Sequence, residues 1–311
     1  MAAATLERIV SEALAVDVRS CSRPQSGSVA DTAICRLAEE ENRNGVPPRV
    51  VCKRGGRSVW TGDVIEPQVV RLVGRETDIP VPQVLASGSC SGADERPLER
   101  WAIYEFRDGE NPGSRYATLE SAVRRRLVAD AGSYLGRLHA TAAFAFDRVG
   151  GLERRGDESG LVLSESTIWH AVDPGPPLSR LPVPLAGDDG CRPVLTHGDY
   201  QPSNLLVNGE GGVTAVLDWG NAHVTHAEYA LARAEIRFVD GYRGRLAASE
   251  RRQLRRTFRR SYAAHAPLEY AYDRRAPFYK LLWLAQSGAN YVQIARDSRG
   301  RRQLGRQLRR L

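Results

Sequence analysis

Residues 197–206 read HGDYQPSNLL, and this stretch decides how the rest of the chain is read. Six polar side chains, His197, Asp199, Tyr200, Gln201, Ser203 and Asn204, crowd between two apolar runs, PVL before and LLV after. Downstream, NGEGG (208–212) separates the short runs LLVN and VTAVLD, a hairpin signal, and the second run ends in LDWG at 217–220. A hairpin returns its chain to where it started, so Asn204 and Asp218 are expected side by side at the open end. One amide oxygen and one carboxylate there suit Mg²⁺, a hard cation that takes few protein ligands and shares phosphate oxygens with substrate. Asp199, five residues before Asn204, is placed to accept a proton from an attacking hydroxyl.

Protein kinases place the same groups as H-R-D, four residues, Asn, then D-F-G; this chain has H-G-D, four residues, Asn, then D-W-G. That logic makes a demand upstream: a lysine on the third strand for the α- and β-phosphates, and a glutamate on the next helix to hold it. PRVVCKR (48–54) is a short β-branched strand that ends at Lys53. VIEPQVVRLVGRE then predicts a helix opening at Glu66 or Pro67, since proline is tolerated only in the first turn. The basic residues number 44, of which only Lys53 and Lys280 are lysine. Lysine is a compact, flexible point charge where arginine is a rigid fork, so its appearance at the one position where the mechanism asks for it carries weight.

HGDYQPSNLLV with VLDWG, EPQVVRLVGRETDIPVPQVL and LVADAGSYLGRLHA resemble the aminoglycoside phosphotransferase family, small-molecule kinases related to choline, fructosamine and homoserine kinases. Glycine after the histidine and the P-V-P segment at 80–82 favour this group over protein kinases. The resemblance covers most of residues 20–235 and implies an α+β, two-lobed protein-kinase-like fold, with a small β-rich N-lobe, a larger helical C-lobe and ATP in the cleft between them. It implies that Asp199 is the catalytic base, that Asn204 and Asp218 hold Mg²⁺, and that Lys53 and Glu66 form the phosphate-binding ion pair. Ser26, Gly27 and Ser28 would be the turn that covers the phosphates, although only S-G-S stands where a glycine-rich loop is usual. Glu105 and Phe106 would offer backbone groups to adenine, and Leu206 would lie beneath the ring. His197 is read as a brace for the loop, and Glu228 in EYALA is the nearest match to an aspartate the family often carries.

Working outward, residues 15–107 read as a mostly β unit with one helix inserted after the third strand, with a turn-rich connector near 105–112. The lobes are set at 1–107, nucleotide-binding, and 108–311, helical, with the catalytic loop and acceptor site. Helices are predicted over 118–143, 227–238, 246–264 and 277–295, and the remainder of 150–192 has weak periodicity. Residues 150–190 hold seven acids and three arginines, a hint of a cationic or polyhydroxylated acceptor. The five cysteines are widely spaced without a C-x-x-C, so neither disulfides nor a zinc site are signalled. No apolar run reaches the ~18 residues of a membrane span, and the N-terminus lacks a secretory pattern, so a reduced, cytoplasmic, soluble protein is expected. His139 is read as a satisfied core histidine, and His223 with His226 as a surface loop. The tail from 296 to 311, with seven arginines and no aromatic residue, is read as a solvated helix end rather than a nucleic-acid surface. The expected partner is a small-molecule acceptor phosphorylated on a hydroxyl (or amine), the expected cofactors ATP and Mg²⁺; the alternatives are a non-catalytic nucleotide-binding scaffold and a nucleic-acid binder acting through the Arg-rich C-terminal tail. Nothing in the sequence specifies an oligomeric state.

Overall fold

Alternation along the N-terminal strands decides which side chains point to each of the two faces of the first sheet. The structure is a computed structural model describing residues 2–24, 30–38, 45–90, 99–144, 146–156, 160–164 and 192–289, with side chains described from residue 6 to residue 284 of these. Strands β1 (Val18–Ser22), β2 (Ala30–Leu37), β3 (Arg49–Gly55), β4 (Val84–Cys90) and β5 (Glu99–Glu105) form an antiparallel sheet in the order β1-β2-β3-β5-β4. Ala33, Cys35, Leu37, Val50, Cys52 and Ile103 point to one face, where Leu6, Ile9 and Val10 of helix α1 (Ala2–Leu14) pack on them. With a side-chain period of two, Lys53 then falls on the opposite face with Ala102 and Tyr104.

That second face is closed by helix α2 (Glu66–Glu76), which buries Val69, Val70 and Val73 in a core continuous with the C-terminal part of the chain. Glu66 is the first residue of α2 and Pro67 the second, where its missing N–H costs nothing because the first four helical N–H groups have no intrahelical partner. The connector is tied down: Glu110 and Val207 exchange backbone hydrogen bonds at 2.9 Å each, and Asn111 Nδ2 donates to the Ser203 carbonyl at 2.6 Å.

The C-terminal part is built on helix α3 (Ser121–Ala140) and helices α4 (Ala227–Phe238), α5 (Ala248–Ala263) and α6 (Tyr272–Ala289). Between α3 and α4 lie β6 (Gly150–Arg154), β7 (Leu161–Leu163), β8 (Pro193–Thr196), the hairpin β9 (Leu205–Val207) and β10 (Val213–Val216), and β11 (His223–His226). Here the sequence reading needs correction. Strands β7-β6-β11-β8 form a four-stranded sheet in a region of weak periodicity, because short strands whose partners lie far along the chain leave no local pattern. His223 is therefore in a strand and fully buried rather than in a surface loop, with its ring 4.1 Å from that of Trp60. His139 is a core histidine bonded to the Tyr262 hydroxyl at 2.9 Å.

Helix α6 begins at Tyr272 and contains Pro277, where the sequence predicts a start at the proline. Tertiary contacts hold the extra turn: Tyr272 and Ala276 are buried, and Arg275 forms a two-pronged ion pair with Glu228 in the first turn of α4. Glu228 is thus a tie between helices. Lys280 does similar work, reaching Glu235 and Asp240 at 2.7 Å each, so the second lysine pairs with buried Glu235 rather than with Glu66 or Asp218.

A further correction concerns the cysteines: Cys21 and Cys35, directly opposite in the β1–β2 register, form a disulfide. Spacing rules look for clustered cysteines and miss a pair brought together by strand register. The expectation of a fully reduced chain does not hold. Among the described residues no helix is long and apolar enough to cross a membrane.

Candidate active site

The segment between β8 and β9 is held by its own histidine. His197 is fully buried; its Nε2 donates to the Leu217 carbonyl at 2.8 Å, and its Nδ1 accepts the Asp199 N–H at 3.3 Å, the tautomer following from these partners. Burial outweighs the nearby carboxylates and pushes its pKa down, so the ring stays neutral and joins the Asp199 turn to the end of β10. The Trp219 ring stacks 4.5 Å away, and its Nε1 donates to the Val216 carbonyl at 3.1 Å. Tyr200 pins the turn from the other side through a hydroxyl bond to the Ala131 carbonyl of α3, 2.9 Å.

Gly198 has a structural reason to be glycine. Its φ is +83°, and a Cβ there would lie 1.7 Å from the Asn221 carbonyl oxygen. The family-type H-G-D is therefore a close backbone crossing between the two halves of the site. Asn221 also reaches back to the N-terminal region, accepting the Val59 N–H at 3.1 Å and the Trp60 Nε1–H at 3.0 Å.

Asn204 and Asp218 sit at the open end of the hairpin. Val216 pairs with Leu205, and the Leu217 N–H donates to the Asn204 carbonyl at 2.8 Å. Asn204 spends its Nδ2 on the Asp199 carbonyl (2.8 Å) and on Asp199 Oδ2 (3.2 Å), which leaves Oδ1 as a free donor to a cation. Asp218 adopts φ +65°, ψ +61°, a left-handed conformation that costs on the order of 1 kcal/mol for a residue with a Cβ. Its side chain remains 59% exposed. An amide oxygen and an open carboxylate fit a divalent oxygen-seeking cation completed by phosphate and water.

Lys53 lies beside this end. Its Nζ contacts both Glu66 oxygens, at 2.8 and 3.0 Å, and Asp218 Oδ1 at 3.6 Å. Burial alone would lower the ammonium pKa, but Glu66 and Asp218 reverse this and raise it. The lysine is a fixed positive charge throughout the neutral range.

Asp199 is more enclosed than the sequence suggests. Oδ2 accepts from Gln201 Nε2 at 2.7 Å and from Asn204, while Oδ1 is paired with the guanidinium of Arg237 on α4. Burial pushes the carboxyl pKa up; Arg237, Arg233 and the bond from Arg237 outweigh that and hold it below the usual carboxylate range. Gln201, Arg237 and Arg233 are the site residues that sequence reasoning misses. Only Gln201, inside the polar cluster, carried a local signal; the arginines are two among many.

For the remaining candidates, Glu105 and Phe106 end the sheet at the connector. Their N–H groups are engaged, with the Gln83 carbonyl at 2.8 Å and, weakly, the Arg49 carbonyl at 3.4 Å. The Arg49 guanidinium covers the Phe106 ring at 4.1 Å. Leu206, on β9 opposite Ala215, abuts the connector at Gly109. Ser26, Gly27 and Ser28 lie outside the described residues.

A β-rich sheet presenting a Lys–Glu pair thus meets a His-Gly-Asp loop and a hairpin that ends in Asn and Asp. The pattern characteristic of the phosphotransferase enzyme family, APH, matches residues 68–278, and the chain belongs to that family. It is 30% identical over 190 residues to an aminoglycoside 3'-phosphotransferase of Escherichia coli, an overlap of 57% of this chain and 64% of that one, so the chain spans just under two thirds of that relative's length. Its fold matches a thermostable mutant of aminoglycoside phosphotransferase APH(4)-Ia in complex with ADP and hygromycin B, with TM-score 0.56, 16% identity and 98% of each chain covered. It also matches amicoumacin kinase hAmiN in complex with AMP-PNP, Ca²⁺ and Ami, with TM-score 0.62, 13% identity and 92% of this chain and 86% of that one covered.

Proposed function

We propose that this chain transfers the γ-phosphoryl group of ATP to a hydroxyl of a small molecule, with Asp199 as base. The contact that best supports this reading is Lys53 bound to Glu66 and reaching Asp218, which joins the N-terminal sheet to the loop system holding Asp199. Residues 1–107 serve as the nucleotide lobe and 108–311 carry the acceptor site. Lys53 grips the α- and β-phosphates, Glu105 and Phe106 face adenine, Leu206 supports its ring, and Ser26–Ser28 cover the phosphates. Asn204 Oδ1 and the Asp218 carboxylate are the oxygens that would hold Mg²⁺, which when bound neutralises charge on the β- and γ-phosphates.

Asp199, ionised at neutral pH, accepts a hydrogen bond from the acceptor hydroxyl and orients its oxygen in line with the γ-phosphorus. The new O–P bond forms as the bond to the ADP oxygen breaks, and the hydroxyl proton passes to Asp199. Gln201 and Arg237 keep the carboxylate in one orientation. ATP availability favours the cytoplasm as the setting, where the Cys21–Cys35 bridge would have to persist against reducing conditions. The similar proteins are named for antibiotic substrates; for this chain the reading extends to a hydroxyl-bearing small molecule.

The test is a titration of Mg·ATP and Mg·GTP into the purified chain, followed by ADP or GDP release over pooled sugars, amino alcohols, aminoglycosides and hydroxy amino acids. Binding of Mg·ATP with acceptor-dependent ADP release supports the proposal. Tight binding without turnover in any pool favours the scaffold alternative.

A further inference from the structure

Asp199 is paired with one guanidinium and lies within the electrostatic reach of a second. Arg237 closes on Oδ1, on the side of the carboxylate turned away from Asn204, and its guanidinium lies 5.6 Å from the centre of the Trp283 ring. Arg233, four residues earlier on the same face of α4, is close enough to act on Asp199, His197, His223 and Arg237. Arg233 is partly buried and its Nε has no hydrogen-bond partner. Among the described residues it donates no hydrogen bond, and no carboxylate comes within the 4.0 Å of an ion pair.

The neighbouring acids of α4 are already committed, Glu228 to Arg275 and Glu235 to Arg259 and Lys280. His197 and His223 are neutral, the latter pushed down to about 3 by burial and by Arg233 itself. The described groups on the Arg237 side of Asp199 therefore carry two guanidinium charges against one carboxylate. The Arg233 Nε is buried without a partner, an unfavourable state for a charged donor, and the forked donors of a guanidinium match carboxylate and phosphate oxygens.

We propose that Arg233 is the anion-recognising residue of the acceptor site, so that the phosphoryl acceptor is a hydroxylated compound bearing a carboxylate or phosphate group. The anionic group sits on Arg233 while the hydroxyl meets Asp199. This rests on the phosphotransferase reading above. An acceptor carrying several ammonium groups would meet Arg233 as a like charge. The acid-rich stretch that hints at a cationic acceptor lies largely outside the described residues, and its described acid, Glu153, accepts from the Ser164 hydroxyl at 2.6 Å.

The test is calorimetric titration of malonate, and separately of inorganic phosphate, into the chain saturated with Mg·AMP-PNP, which fills the γ-phosphate position. The parent binds one or both probes; Arg233→Gln weakens that binding about tenfold or more, and Arg233→Lys restores part of it. AMP-PNP binding by the same samples serves as the folding control. Anion binding that is absent from the parent, or unchanged in Arg233→Gln, overturns the proposal. So does a loss of AMP-PNP affinity in Arg233→Gln with ADP affinity retained, since Arg233 would then read the γ-phosphate. If the parent binds no Mg·nucleotide, the phosphotransferase reading itself fails and takes this proposal with it.

Discussion

Lys53 Nζ lies 2.8 Å from Glu66 Oε1 and 3.6 Å from Asp218 Oδ1, so one ammonium joins the third strand, the following helix and the end of the hairpin. The Lys53–Glu66 pair is largely enclosed, and removing one partner leaves the other charge poorly solvated. Glu66→Gln is expected to lower unfolding stability by about 1–3 kcal/mol and to weaken Mg·ATP binding about tenfold. Chemical denaturation and nucleotide titration check both. Unchanged ATP affinity would separate the pair from phosphate binding.

The glycine of H-G-D gives a second prediction. A methyl group at Gly198 would meet the Asn221 carbonyl at 1.7 Å, on a backbone with φ +83°. Gly198→Ala should cost on the order of 3 kcal/mol or more, since both strain and overlap must be relieved by moving the Asp199 turn. A thermal melt within a degree or two of the parent would mean the crossing is looser than described.

Arg237 gives a pH signature. Burial raises the Asp199 pKa, the two arginines more than offset it, and the folded value lies below the unfolded one. The stabilisation from this group is present above the ordinary carboxylate pKa of about 4 and is lost as pH falls through the depressed folded value. Arg237→Gln removes one lowering charge, so the acid limb of kcat/KM should move to higher pH, and the stability gap between parent and variant should narrow on acidification. A kcat reduced equally at every pH would assign Arg237 to packing alone.

The Cys21–Cys35 disulfide closes a 14-residue separation across β1 and β2. Chain-entropy arguments put its contribution at about 3 kcal/mol, so a reductant should lower the melting temperature measurably and free two thiols. Thiol counts identical before and after reduction would contradict the bridge.

The candidate stretch at 197–206 is legible in the sequence because its groups are close along the chain and tied by a hairpin whose turn is written in glycines. Lys53 and Glu66 are legible because lysine is so scarce here. The arginines around Asp199 are not: Arg237 is 38 residues downstream and looks like any other arginine until α4 packs against the loop. The same holds for Cys21 with Cys35, for the β6–β11 pairing and for buried His223. Each depends on register or packing between segments that carry no mutual signal.

The central claim is that Asp199 serves an Mg²⁺-dependent phosphoryl transfer. The most direct test is ADP release with pooled hydroxyl acceptors, comparing the parent with Asp199→Asn, each shown to bind Mg·ATP. The account predicts acceptor-dependent release by the parent and a drop of about 10²–10⁴-fold in the variant, with ATP affinity within a few-fold. Release by Asp199→Asn at the parent's rate would contradict it.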